Sequence, residues 1–234
     1  MHKVAIPQTI IDRVIKRRGK EHVFEDFDPA RTALIVVDLQ NGFMMPGVAF
    51  AEIPEAREIV PNVNRLATAV RAAGGLVVWI VTTYDKAIDH EWSTYYRLST
   101  PANGAKRSAA LTKGAKGHEI YADLEVKPED QIVEKRRFSA FIQGSGDLDK
   151  VLKARGIDNL LITGTVTGVC CESTARDAMM LNYAVTMVSD GNASYSDEEH
   201  NRALTAFYAT FGDVMSTDTL VGLLAKNGKK QAAE

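Results

Sequence analysis

Five short runs of β-branched and apolar residues, separated by segments with helical spacing, constrain this chain more than any other feature. The runs are TALIVV (Thr32 to Val37), LVVWIVT (Leu76 to Thr82), DQIVEK (Asp130 to Lys135), NLLITG (Asn159 to Gly164) and AVTMVSD (Ala184 to Asp190). Most are continuous rather than alternating, which is the pattern of strands covered on both faces. Between them, apolar residues recur at helical spacing over Ile59 to Ala73, Asp147 to Arg155, Glu172 to Asn182 and Glu198 to Phe211. Gly74-Gly75 and Gly156 stand where two of those helices must stop before the next strand. A sixth strand near Asp213 to Ser216 and a helix from Asp218 to Ala225 complete the alternation. The expected fold is α/β: a three-layer α/β/α sandwich around a six-stranded, mainly parallel, doubly wound sheet. One domain spans residues 1–234, with an N-terminal arm over residues 1–28, packed on the sheet or a neighbouring subunit, and a frayed polar tail over residues 227–234. Thr83 to Gly117 reads as a long irregular segment, longer than ordinary α/β loops and therefore a candidate for function.

Charge and composition exclude several classes. The chain carries 28 Lys+Arg against 30 Asp+Glu, a formal net charge of -2, and neither sign dominates a stretch. Nothing here marks a nucleic acid or an anionic membrane as partner. No apolar run approaches the roughly 20 residues that span a bilayer. The first residues carry Lys3, Asp12, Arg13, Lys16, Arg17 and Arg18 rather than an apolar stretch and a cleavage site, so a cytoplasmic protein is expected. Its two cysteines, Cys170 and Cys171, are adjacent. A bond between neighbours would be strained, so two free thiols in a reducing compartment are the expectation.

In open α/β sheets, ligands bind beyond the carboxyl ends of the strands. Three reactive groups fall there: Asp38 after the first strand, Lys135 at the end of the third, and Cys170 across a turn from the fourth. Singly, each has an ordinary reading as a turn residue, a solvated lysine or a small buried side chain. Together they place an acid, a base and a thiol on one edge. Cys170 also precedes the helical run ESTARDAMML, where the dipole and a neighbouring ammonium are expected to lower its pKa and yield a thiolate. The turn Gly164-Thr165-Val166-Thr167-Gly168 is tight enough to aim amide groups at a developing oxyanion. Cys171, one residue on, is assigned to packing. Candidate substrate contacts are Gln40 and Asn41 beyond Asp38, Arg137 for a substrate carboxylate, and Phe43, Trp92, Tyr95, Tyr96, Phe138 and Phe141 as walls. The histidines His2, His22, His90, His118 and His200 are scattered, so no metal is expected.

Three ordered motifs, ALIVVDLQNGF (Ala33 to Phe43), VEKRRFSAF (Val133 to Phe141) and GTVTGVCCESTARDA (Gly164 to Ala178), resemble the signatures of the isochorismatase-like cysteine hydrolases. The resemblance implies a catalytic triad of Asp38, Lys135 and Cys170 and a six-stranded parallel sheet in a homodimer or homotetramer. It further implies a non-proline cis peptide between Thr165 and Val166, with the backbone N–H groups of Val166 and Cys170 as the oxyanion hole. Nicotinamidases in that superfamily carry an Asp and a His cluster after the second strand that binds a metal; here TTYDKAIDHEW offers Asp85, Asp89 and His90 alone. Isochorismatases proper, which cleave a vinyl ether, typically lack a cysteine at the position of Cys170. The runs GVCCESTARDAMMLNY and KRRFSAF look most like ureidoacrylate amidohydrolase and its relatives. The expectation is therefore a metal-independent, cofactor-free cysteine hydrolase that cleaves a C–N bond of a small amide or ureido (carbamoyl) compound. The alternatives are an isochorismatase-type or nicotinamidase activity and, from another class, a thiol redox sensor pairing Cys170 with Cys171.

Overall fold

The computed structural model describes residues 1–231. Six strands, β1 (Thr32–Val37), β2 (Leu76–Thr82), β3 (Gln131–Lys135), β4 (Asn159–Thr165), β5 (Ala184–Ala193) and β6 (Asp213–Met215), form one sheet in the order β3-β2-β1-β4-β5-β6. Every pairing is parallel. Helices α1 (Gln8–Arg18), α2 (Val60–Ala72), α3 (Pro101–Leu111), α4 (Leu148–Ala154), α5 (Glu172–Met180), α6 (Asp197–Thr210) and α7 (Thr217–Gln231) are the long elements around it, with shorter turns between.

The continuous apolar strands are explained by two cores, one on each face. Along β1, Ala33, Ile35 and Val37 enter one core while Leu34 and Val36 enter the other. In β4, Leu160 and Ile162 face the first and Leu161 the second. The period-2 alternation survives inside an all-apolar run because both faces are dry. β3 lies at the sheet edge and alternates, with Ile132 exposed and Val133 buried. Gly74 and Gly156 adopt φ of 81° and 66° at the ends of α2 and α4, which leave them free to turn into the next strand.

The chain runs outward from β1 through β2 to β3, then returns to lay β4, β5 and β6 on the other side. The order of winding therefore reverses between β1 and β4. Beyond their carboxyl ends the connections lead away to opposite sides, and the crevice between them is the usual ligand position in such sheets.

Several boundaries differ from the sequence pattern. The expected frayed tail from residue 227 is instead helical through Gln231, because Asn227 is buried and its Nδ2 donates to the Glu25 and Phe27 carbonyls at 2.9 and 3.0 Å; residues 232–234 of that tail lie outside the described residues. The segment after β2 is not irregular throughout: it holds two single-turn helices, Ile88–Glu91 and Ser93–Tyr96, and the three-turn α3. β5 runs three residues past Asp190, to Ala193. Its register shifts between Ile162 and Gly164, and Asn192 Nδ2 bridges the irregularity to the carbonyls of Ile162 and Val188 at 2.8 and 2.7 Å. The N-terminal arm contains α1 and lies against α6: Arg18 Nη1 meets Asp213 at 2.7 Å, and the His2 ring stacks on His200 with centroids 4.5 Å apart. No helix among the described residues is long and apolar enough to cross a membrane.

Candidate active site

The ends of four strands meet in the crevice. β1 delivers Asp38, whose backbone N–H still pairs with Ile80 of β2 at 3.0 Å although its φ is 56°. A non-glycine residue held in the left-handed region costs on the order of 1–3 kcal/mol and persists where the surroundings enforce it. β4 packs tightly against the residue before Asp38: a Cβ built at Gly164 would sit 2.0 Å from the Val37 carbonyl oxygen. Only glycine lets β4 approach the end of β1 this closely.

β2 ends in Thr82 and β3 in Lys135, register partners across the sheet. The Lys135 ammonium, buried at 1% exposure, donates to Thr82 Oγ1 at 2.6 Å, to the Arg137 carbonyl at 3.0 Å and to Cys170 Sγ at 3.5 Å. Thr82 Oγ1 in turn donates to Asp38 Oδ1 at 2.8 Å. Asp38 Oδ2 lies 2.8 Å from Lys135 Nζ as an ion pair, yet takes no hydrogen bond of ordinary geometry from it. An ammonium has three protons, and here all three have other acceptors. Asp38 Oδ2 is thus left without a hydrogen-bond partner, beside the Cys170 thiol whose ionisation its charge opposes.

Cys170 sits in a single turn of π-helix, Thr167–Cys171, that leads into α5. The Thr165–Val166 peptide before it is cis. The Val166 carbonyl accepts from the amides of Val169 and Cys171, at 3.0 and 3.3 Å, and not from that of Cys170 between them. Thr167 Oγ1 is tied to His200 Nδ1 at 2.9 Å, which anchors the turn to α6. Cys171 points the other way into the core, fully buried, with its sulfur 3.9 Å from the Thr163 carbonyl. Both cysteines are free thiols.

The electrostatics correct one expectation. The Cys170 thiol is pushed up to about 12, first by burial and then by the Asp38 carboxylate, against the opposing pull of Lys135. Burial would lower the Lys135 ammonium, but Asp38, with Cys170 adding, holds it above its ordinary value. The resting site therefore holds a neutral thiol beside an ion pair, not the thiolate that the helix start suggested. The lysine's charge is already answered by Asp38, and the start of a helix does not offset removal of the sulfur from water.

Residues 32–219 match the isochorismatase domain. The chain belongs to the isochorismatase family. It is similar to a cysteine hydrolase from Pseudomonas syringae pv. phaseolicola, with a TM-score of 0.73 and 28% identity over 86% of this chain and 96% of that one. It is also similar to N-carbamoylsarcosine amidase from Thermoplasma acidophilum (TM-score 0.63, 26% identity, 80% and 97% covered). The pyrazinamidase/nicotinamidase from Streptococcus mutans is a further match (TM-score 0.65, 26% identity, 79% and 99% covered). As a member of this family the chain is a hydrolase of the isochorismatase-like, cysteine-hydrolase type.

In this family member Cys170, Lys135 and Val166 line a cavity of about 220 Å³. Of the residues expected to touch substrate, Phe43, Tyr95, Phe138 and Arg137 reach its wall. Gln40 does not. It is wholly buried, its Nε2 donating to the carbonyls of Thr82 and His118 and its Oε1 accepting from the Thr82 amide, so it braces the end of β2. Asn41 is likewise a brace, with Nδ2 donating to the Lys116 carbonyl at 3.0 Å. Trp92 stands one layer back, stacked on Tyr95 at 4.5 Å and edge-on to Phe138 at 4.9 Å. Phe141 packs into the core against Tyr183, and Tyr96 faces Arg107 rather than the cavity. The sequence pattern did not mark Phe50, Thr82, Arg107, Val169 or Tyr195, all on the wall. Thr82 had a signal, being the polar end of β2; Arg107 lies on a helix away from every strand end, and Tyr195 two residues past the end of β5, beyond the Asp190 boundary that the sequence pattern set. A larger, more open cleft of about 640 Å³ lies between Tyr84 and Ser108, away from the thiol. No group of three or more His, Cys, Asp or Glu among the described residues is arranged to hold a metal ion.

Proposed function

We propose that this isochorismatase-family chain is a metal-independent amidohydrolase that cleaves a C–N bond of a small amide or carbamoyl compound through a covalent intermediate on Cys170. One observation carries the reading: a thiol, an ammonium 3.5 Å from its sulfur and a carboxylate with an unpartnered oxygen share one buried site open to a small cavity. Cleaving a vinyl ether calls for a proton donor and no nucleophile, so a cysteine placed at the centre of the site favours attack on carbon.

Asp38 accepts the thiol proton as sulfur attacks the carbonyl, so negative charge passes from the carboxylate through sulfur to the carbonyl oxygen. Because the thiol is neutral at rest, proton transfer accompanies attack rather than preceding it. The backbone N–H groups of Val166 and Cys170 hold the oxyanion. Lys135 keeps a positive charge against the sulfur throughout. Collapse expels ammonia or an amine, which takes its proton from Asp38, and leaves a thioester or thiocarbamate. Asp38 then removes a proton from water as it attacks, the C–S bond breaks, and the proton returns to Cys170.

A thiol redox role is less well supported. The candidate resolving thiol, Cys171, is sealed from solvent and pushed well up by burial, then by its Cys170 and Asp38 neighbours, and ionisation and access govern thiol oxidation. The deciding experiment measures ammonia release from N-carbamoyl amino acids, ureidoacrylate-like ureides, biuret, maleamate and nicotinamide, with Cys170→Ala as the blank. Turnover of a carbamoyl or amide substrate that vanishes in the blank supports the proposal. Silence on all of them, with reversible loss of two hydrogens after mild peroxide, supports the redox reading instead.

A further inference from the structure

We propose that Arg107 anchors a carboxylate on the substrate, and that this residue makes the site selective for small monoanionic amides or ureides. The inference rests on the amidohydrolase reading for the word substrate, but not for the anion site itself.

Arg107 comes from α3, in the segment between β2 and β3, and with Leu111 it is one of only two buried side chains on that helix. An arginine is thus what α3 inserts over the catalytic crevice. Its guanidinium lies 4.8 Å from the centroid of Tyr95 and 5.9 Å from those of Phe50 and Tyr96. Nη1 donates to the Tyr96 hydroxyl at 3.1 Å, its one hydrogen bond to protein among the described residues. Rings on several sides fix the plane of the fork, and one polar contact leaves most of its donors for something else.

Three cations face this cavity, and two are already answered. Lys135 is paired with Asp38 at 2.8 Å and Arg137 with Glu91 at 3.5 Å. Arg107 has no carboxylate within ion-pair distance among the described residues, although it is 7% exposed. Buried charges are ordinarily paired, and the empty half of this fork fronts a cavity that also holds the Cys170 thiol. A planar fork prefers a planar, bidentate acceptor. The cavity's 220 Å³ is about seven water volumes, room for a carboxylate a few bonds from the scissile carbon but below the range of about 300–1,000 Å³ typical of drug-sized ligands. The same geometry reassigns the carboxylate contact from Arg137, whose charge Glu91 already takes up.

The test uses binding to the full chain carrying Cys170→Ala, so that turnover is not required. N-carbamoylglycine and its neutral carboxamide, N-carbamoylglycinamide, are titrated calorimetrically against this parent, against the same chain with Arg107→Met, and with Arg107→Lys. The carboxylate should bind the parent more tightly than the carboxamide, and Arg107→Met should weaken it by roughly 100-fold. Arg107→Met should leave the carboxamide unchanged, with Arg107→Lys intermediate because it keeps the charge without the fork. Equal binding of the two probes by the parent, no binding of the carboxylate, or equal weakening of both by Arg107→Met would overturn the proposal. Should Arg107→Met fail to fold, an Arg107→Lys variant with unaltered preference overturns it as well. A chain that binds the carboxylate through Arg107 but hydrolyses no C–N bond would refute the amidohydrolase reading and leave the anion site standing.

Discussion

Replacing Asp38 with Asn should make Cys170 easier to alkylate while abolishing turnover. With its thiol held up at about 12, the wild-type site carries a thiolate in roughly one molecule in 10⁵ at neutral pH. Lys135 sits 3.5 Å from the sulfur, a separation at which unit charges interact by about 5 kcal/mol at an effective dielectric of 20. The Asp38 charge now offsets most of that attraction. Asn keeps the shape, removes the opposing charge and exposes about 3 pKa units of stabilisation, raising the thiolate fraction ~1000-fold. A less basic thiolate is intrinsically less nucleophilic by a Brønsted slope of about 0.4–0.5, which returns roughly 30-fold. The net expectation is iodoacetamide labelling of Cys170 about 30-fold faster than in wild type, with hydrolysis lost because no base remains. Fully buried Cys171 serves as the internal control for local opening and should stay unlabelled in both proteins. Labelling of Cys170 at the wild-type rate or slower, in a folded Asp38→Asn protein, would refute the claim that this carboxylate keeps the thiol protonated.

Two further outcomes follow from the buried charges. Lys135→Met strands the Asp38 carboxylate at 0% exposure and should cost about 3–5 kcal/mol in urea unfolding; adding Asp38→Asn should recover most of it, and a double mutant no more stable than the single one would contradict the pairing. His200 is held down at about 4, first by burial and then by His2. The unfolded chain takes up that proton near 6.5 and the folded one only near 4, so the associated stability is present above about pH 6.5 and is lost as pH falls toward 4, by up to about 3 kcal/mol. Urea midpoints measured across that window should fall in wild type and fall less in His200→Gln; parallel curves would show that His200 does not carry the effect.

The meeting of Asp38, Lys135 and Cys170 was legible because β1 and β4 are unmistakable apolar runs, Lys135 closes the shorter alternating β3, and a parallel sheet aligns strand ends by construction. Thr82 obeys the same rule and stayed hidden only because a threonine extends a strand as readily as it ends one. Gln40 and Asn41 were adjacent to the acid along the chain, yet the residues after Asp38 turn away into the helical turn Asn41–Met44, so their amides serve backbone groups instead. Arg107 lies in PANGAKRSAAL beside Lys106, where a helical arginine reads as solvated; that its face turns inward depends on how α3 packs, which no local pattern encodes. Tyr195 reaches the cavity because β5 runs to Ala193, a length set by the register shift against β4. The protonation state of Cys170 is hidden for a related reason: the helix start is visible in the sequence, whereas the burial of the thiol and the sharing of Lys135 with Asp38 exist only in the folded site.

The most direct measurement is the mass of the enzyme during turnover. With a carbamoyl or amide substrate identified by ammonia release, acid quenching at steady state followed by peptide mapping should place the acyl or carbamoyl group on the Cys170 sulfur. Cys170→Ala should show neither adduct nor product, and Cys171→Ala should show both. An adduct on Cys171, or undiminished turnover by Cys170→Ala, would contradict the account.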